Sequence, residues 1–227
     1  MFTEYKIKWV KRHILIDDEQ GLLIDTGSPA SFHASGSISL CGEKIEVPSK
    51  LIGVTESYLQ KVLSEEVHGL IGMDILSLHP ILFNLHDGSD FVFLDDDACY
   101  HNALESFSLA GICQGLFIYW GDRKLKMVFD TGAPISYINS RYIENQHVIR
   151  TESDFSPLIG NSFTANMVSV PVSIEKGHVE DVEFGYSKQV DSILTQLNVD
   201  GIIGSSILRK YRIQMKNGIM FLPPQGI

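Results

Sequence analysis

Two Asp-Thr-Gly triplets stand 105 positions apart, at Asp25-Thr26-Gly27 and Asp130-Thr131-Gly132. Each closes an apolar run, Leu22-Leu23-Ile24 in one case and Met127-Val128-Phe129 in the other. An apolar strand is a rigid, water-excluding mount for a carboxylate at its end. Two such carboxylates held a few ångströms apart do not both ionise readily; one pKa rises and the pair shares a proton. A pair of this kind acts as general base toward a water and as general acid toward a carbonyl oxygen. Gly27 and Gly132 permit a tight turn whose amides point at the carboxylate. Thr26 and Thr131 add a hydroxyl beside each Asp, and in a two-fold arrangement these reach across to the opposite half and fix the spacing.

The triplets belong to a longer internal repeat. GLLIDTGSPASF (residues 21–32) is matched by KMVFDTGAPISY (126–137), and HGLIGMDIL (68–76) by DGIIGSSIL (200–208). Both copies keep the order apolar run, Asp-Thr-Gly, gap, then Gly-apolar-apolar-Gly. Gly72 and Gly204 fit strands that pass so close to the site that a Cβ would intrude. The interval from Asp to second glycine is 47 positions in the first copy and 74 in the second, an excess of 27 in the second half. The hairpin pattern of Ser37–Pro48 resembles that of Ser169–Phe184, so the excess falls at about Pro134–Met167.

The elements that must hold these residues read as short strands. Period-2 alternation around Asp17–Gly21, and again around Trp120–Arg123, predicts a β-hairpin ahead of each Asp. Further turns are expected at Gly88 and Gly218. Short helices are expected at Ser57–Ser64, Lys188–Leu197, Met73–Leu78 and Ser205–Lys210. The fold class is all-β, with few short helices, in two halves: 1–97 and 98–227. The acidic stretch Leu94–Asp97 with Ala98–Glu105 reads as the linker.

These motifs resemble the aspartic proteases, both pepsin-like and retroviral-type. Asp25-Thr26-Gly27-Ser28, Asp130-Thr131-Gly132-Ala133, Gly69-Leu70-Ile71-Gly72 and Gly201-Ile202-Ile203-Gly204 carry the resemblance, which spans nearly the whole chain. It implies two acid-protease lobes related by a pseudo-two-fold axis, with the cleft between them. It further implies that Asp25 and Asp130 hold a nucleophilic water while Thr26 and Thr131 lock them together. Each lobe looks like one retroviral-protease subunit, the two being fused. The implied activity is that of an aspartic endopeptidase acting on an extended peptide or protein, bonded along its backbone. Ser28 offers a hydroxyl to the pair where Ala133 has none, so an asymmetric dyad is expected. The interval in the first half is too short for a full flap. The flap is therefore expected on the insertion of the second half, with Phe155, Leu158, Ile159 and Gly160 near its tip. Gly72, Gly204 and those four residues are the candidate substrate contacts.

Composition narrows the alternatives. The chain of 227 residues is 44% hydrophobic and 20% charged, an ordinary globular balance. A net charge of −10 lacks the basic patch of a nucleic-acid binder. The eight histidines lack ligand spacing such as HxxxH, and no metal or cofactor is expected. Three scattered cysteines, the alternating and charged first ten residues, and the lack of any long apolar run lead to the expectation of a cytoplasmic protein away from membranes, and the fused duplication to that of a monomer. Asp74 is expected to cap a helix or pair a cation. The competing reading is a catalytically silent peptide-binding module on the same fold. A two-carboxylate glycosidase is weaker, since it leaves the twin glycine motifs unexplained.

Overall fold

The computed structural model describes residues 3–85, 90–93, 100, 102–110, 113–143, 145–156, 159, 162–175 and 178–222. The expected turn at Gly88, the linker stretch Leu94–Asp97 and the tip residues Leu158 and Gly160 lie outside these.

In the first half the strands are β1 (Thr3–Val10), β2 (His13–Ile16), β3 (Leu22–Ile24), β4 (Phe32–His33), β5 (Ser37–Leu40) and β6 (Glu43–Glu46). Helix α1 (Glu56–Leu63), β7 (Gly69–Ile71), helix α2 (Met73–Leu76), β8 (Ile81–Asn84) and β9 (Asp90–Phe93) follow. The second half opens with β10 (Ser106–Leu109), β11 (Cys113–Trp120), β12 (Arg123–Asp130) and β13 (Tyr137–Ile138). It continues with β14 (Arg150–Phe155), β15 (Ser162–Val172), β16 (Glu180–Tyr186), helix α3 (Lys188–Leu197), β17 (Gly201–Gly204), a 3-10 turn at Ser205–Arg209, β18 (Ile213–Lys216) and β19 (Ile219–Phe221).

The same local plan occurs twice. β2 runs antiparallel to β3, which lies parallel to β7, which in turn pairs antiparallel with β4. β11, β12, β17 and β13 repeat these relations in the second half. Helices α1 and α3 occupy equivalent places ahead of the glycine strands and begin alike. The Thr55 hydroxyl accepts from the Tyr58 amide, and the Ser187 hydroxyl from the Val190 amide. Each helix turns an apolar stripe inward, Leu59 and Leu63 in α1, Val190 and Leu194 in α3. The architecture is the mainly β, duplicated arrangement expected from the motifs.

The sheets do not divide at residue 97. Strands β18 and β19 extend the sheet of the first half, in the order β19-β18-β8-β9-β1-β2-β3-β7-β4. The boundary after residue 97 therefore parts the duplicated sequence, while the chain's final strands return to complete the first sheet. A shared apolar core joins the halves, with Phe83 and Phe129 in edge-to-face contact at 5.8 Å.

The insertion of the second half forms a hairpin, β14 and β15, paired from Arg150↔Met167 to Phe155↔Ser162. It reaches across to the first half. Glu152 pairs with Arg12, and the Phe155 ring meets His13 at 5.7 Å and Tyr58 at 6.2 Å.

Candidate active site

The apolar strands deliver Asp25 and Asp130 to one place. The Asp25 amide donates to the Ile71 carbonyl at 3.0 Å, continuing the β3–β7 ladder, and Asp130 stands opposite Gly204 in the β12–β17 register. Each triplet then turns back on its own carboxylate. Asp25 Oδ1 accepts from the Gly27 and Ser28 amides, both at 3.0 Å. Asp130 Oδ1 accepts from Gly132 at 2.9 Å and Ala133 at 3.2 Å.

The glycines explain why the two loops approach so closely. A Cβ on Gly27 would lie 2.3 Å from Asp130 Cγ, and one on Gly132 would lie 2.4 Å from Asp25 Cγ. Each glycine is thus the floor on which the opposite carboxyl rests. The two carboxyls hydrogen-bond each other across this floor.

Beneath them the threonines cross. The Thr26 amide donates to Thr131 Oγ1 and the Thr131 amide to Thr26 Oγ1, each at 3.0 Å. Thr26 Oγ1 donates to the Phe129 carbonyl at 2.9 Å, and Thr131 Oγ1 to the Ile24 carbonyl at 2.8 Å. Both side chains are fully buried, so four hydrogen bonds lock the spacing of the pair where water does not compete.

Electrostatics follow from this packing. Burial, then the adjacent Asp130 charge, pushes Asp25 well above the usual carboxylate range. Burial likewise raises Asp130. Together they behave as one site that retains a proton where an isolated carboxylate would have lost it. The Cys113 thiol, donating to the Gly27 carbonyl at 3.4 Å, is pushed up to about 11 by burial and the two aspartates.

No family model matches the sequence, and no curated protein matches it. Among solved structures the chain is similar to a retropepsin-like aspartic protease from Rickettsia conorii, at 15% identity and a TM-score of 0.32, over 48% of this chain and 88% of that one. It is also similar to an aspartic proteinase from Irpex lacteus, at 12% identity and a TM-score of 0.48, over 99% of this chain and 98% of that one. Likenesses this distant assign no activity, and the site stands on its own contacts.

Several expectations change in detail. The Ser28 hydroxyl donates to the Ala30 carbonyl at 2.8 Å rather than to a dyad oxygen. Its amide does the work at Asp25, and Ala133 supplies the same amide at Asp130, so the expected asymmetry from Ser28 is absent. Gly72 and Gly204 are buried behind the loops, where a Cβ would strike the Ala30 carbonyl oxygen or those of Ala133 and Ile135, each at 2.6 Å. They shape the site from behind and are not placed to touch a substrate. Phe155 lines a cavity of about 370 Å³ together with Arg12, His13, Ile135 and Asp154. Ile159 packs against the apolar cluster of β13, β15 and α3. Asp74, expected to cap a helix or pair a cation, instead ties the loop of the first triplet to α2: it accepts from the Ser31 amide at 3.0 Å and from the adjacent Ile75 amide at 3.0 Å, and makes no side-chain cap of that helix.

Two serines escaped the motif reading although the repeat displays them. Ser31 Oγ accepts from the Gly72 amide at 2.8 Å and donates to Asp74 Oδ1 at 2.5 Å. Ser136 Oγ accepts from the Gly204 amide at 3.0 Å. Each sits in the Pro-x-Ser that follows its triplet. His13 also borders the site, and no spacing pattern marks it.

Proposed function

We propose that this chain is an aspartic endopeptidase that hydrolyses peptide bonds with a water activated between Asp25 and Asp130. The observation that carries the reading is the mutual seating of each carboxyl on the opposite glycine, with two amides on each Oδ1. Such a pair holds one proton and one negative charge in a desolvated setting, the state needed to take a proton from water and give one to a carbonyl.

In the reaction so read, the ionised carboxyl accepts a proton as the water oxygen bonds to the scissile carbonyl carbon. The protonated partner donates to the carbonyl oxygen, giving a neutral gem-diol. Collapse of that adduct returns a proton to the pair and delivers one to the departing amine. The hairpin β14–β15, expected as the flap, would cover an extended substrate from the second half. The halves 1–97 and 98–227 act as two lobes in this proposal, and because one chain supplies both aspartates, a monomer suffices. Cytoplasmic residence remains part of the proposal, with Cys41 and Cys113 free among the described residues.

The test is cleavage of a mixed peptide library from pH 3 to 8 by wild type, Asp25→Asn and Asp130→Asn. Wild type is expected to cut and to be blocked by a hydroxyl-bearing transition-state mimic, and each variant to lose about 10²–10⁴-fold in rate. A wild type inert at every pH that still binds extended peptides would instead establish the silent binding module.

A further inference from the structure

His13, the first residue of β2, is 2% exposed and lines the cavity of about 370 Å³ beside the dyad loop. Its ring hydrogen-bonds to the backbone of Gly132, whereas Nδ1 is buried without a partner. The bonded atom is therefore Nε2. The carbonyl of Gly132 only accepts, so Nε2 carries the ring proton and Nδ1 presents a bare lone pair. Burial and the nearby Lys11 cation hold the ring neutral, with its pKa lowered to about 4, so that lone pair persists at cellular pH. Folded proteins seldom leave such an acceptor unpaired, so a group that completes the bond is called for.

The surroundings define what would complete it. Phe155 of the hairpin lies against the imidazole, so a ligand group arriving there displaces that ring. The neighbouring carboxylates are already engaged: Glu152 with Arg12 and Arg150, Asp154 with the Tyr137 hydroxyl and the Phe155 amide. A cationic side chain would meet Lys11 and Arg12 with no free counter-charge. An apolar one would leave Nδ1 as it is. An uncharged donor, an amide or hydroxyl, satisfies the lone pair without penalty.

We propose that His13 is a substrate-binding residue which accepts, at Nδ1, a hydrogen bond from an uncharged donor-bearing side chain of the bound peptide. The proposal rests on the reading of Asp25 and Asp130 as a peptidase pair, because Gly132 ties the imidazole to the loop that carries Asp130. The subsite therefore favours Thr, Ser, Asn or Gln over their apolar isosteres at one position of the peptide.

Paired peptides that differ only as Thr or Val, or Asn or Leu, at each position in turn test this with wild type and His13→Phe, which keeps the ring shape and loses both nitrogens. Wild type is expected to cut the donor-bearing peptide about tenfold faster at one position. In His13→Phe that ratio should fall to about one, whatever the absolute rate on the Val and Leu peptides. An unchanged ratio in a folded variant overturns the proposal and leaves the peptidase reading intact. If wild type cuts nothing, the peptidase reading fails, and binding of the same pairs by fluorescence anisotropy still decides the role of His13. A Thr-over-Val preference lost in His13→Phe supports it, and equal binding of both peptides by wild type refutes it. Should the variant not fold, wild type labelled with 15N-histidine supplies the answer. The Nδ1 resonance of His13 should move on adding the Thr peptide and stay put with the Val peptide; the same response to both refutes the proposal.

Discussion

Replacing Thr131 by Val keeps the side-chain shape and removes one oxygen from the crossing beneath the dyad. In wild type that oxygen accepts from the Thr26 amide at 3.0 Å and donates to the Ile24 carbonyl at 2.8 Å, with both threonines at 0% exposure. A valine methyl offers neither bond, and the sealed position admits no replacement water. Each buried polar group left unpaired costs about 1–3 kcal/mol, so the variant should lose about 2–6 kcal/mol. For a chain of this size, that corresponds to a melting temperature lower by roughly 5–20 °C. The Thr131 amide keeps its own bond to Thr26 Oγ1, so the loss is confined to the two named groups. Thr26→Val removes the mirror pair, to Thr131 N and the Phe129 carbonyl, and should cost a similar amount. Urea denaturation at pH 7, followed by intrinsic fluorescence, measures both. A loss below about 1 kcal/mol in either variant, with unchanged m, would contradict the view that the crossing bears on stability. A large loss in one variant and none in the other would contradict its two-fold character.

Gly204→Ala should fold poorly or not at all, since its Cβ would sit 2.6 Å from two backbone carbonyl oxygens with no side chain to yield; soluble yield and thermal melting report this. Because both dyad carboxyls are raised, kcat/KM should fall as pH rises through a limb above the ordinary carboxylate range, with the proton-bearing form below it active. A limb near pH 4 would argue against the shared proton. His13 titrates at about 4 in the fold against 6.5 when free, so as pH falls the unfolded chain binds the proton first. Its contribution to stability is lost between those values and is level below them, by at most about 3 kcal/mol. The raised carboxyls act with the opposite sign above the ordinary carboxylate pKa, so the quantity to measure is the wild-type stability curve minus that of His13→Phe. Phe155→Ala should lower kcat/KM about tenfold with little change in melting temperature, and wild-type kinetics would refute a covering role for the hairpin.

Much of the site could be read from the chain because its chemistry forces the same residues twice. Close approach of two loops demands glycine, and cross-locking demands a hydroxyl beside each carboxylate, so Asp-Thr-Gly recurs in register. Helix α3 was legible for a local reason, Ser187 at its start and Val190 and Leu194 one turn apart. The return of β18 to pair with β8 was not legible, because alternation identifies a strand without naming its neighbour. Ser28 and Ala133 misled in the other direction. The sequence differs there in a side chain, while the contacts at the dyad are made by backbone amides that any residue but proline supplies. Ser31 and Ser136 were visible in the repeat but carried no expectation. Their role, bonding the second glycine's amide from behind, depends on a fold that brings positions 41 and 68 residues apart together.

The two halves are alike where they hold the dyad and unlike where a peptide would lie. In the first half the hairpin β5–β6 is committed to its own lobe, with Ile38 and Leu40 in the main core and the Cys41 amide bonded to the Tyr5 hydroxyl. In the second half β15 and β16 play that packing role through Val168, Val170 and Phe184, and the insertion adds β14 on the outer edge. That extra strand brings Glu152 to Arg12 and Phe155 to His13 and Tyr58. In the proposed peptidase, symmetry is retained where two carboxyls must be equivalent enough to share a proton, and it is given up where an asymmetric substrate would be told one end from the other. On this reasoning, substitutions at Glu152 and Phe155 change which peptides are cut, whereas substitutions at Thr26 and Thr131 change how well any peptide is cut.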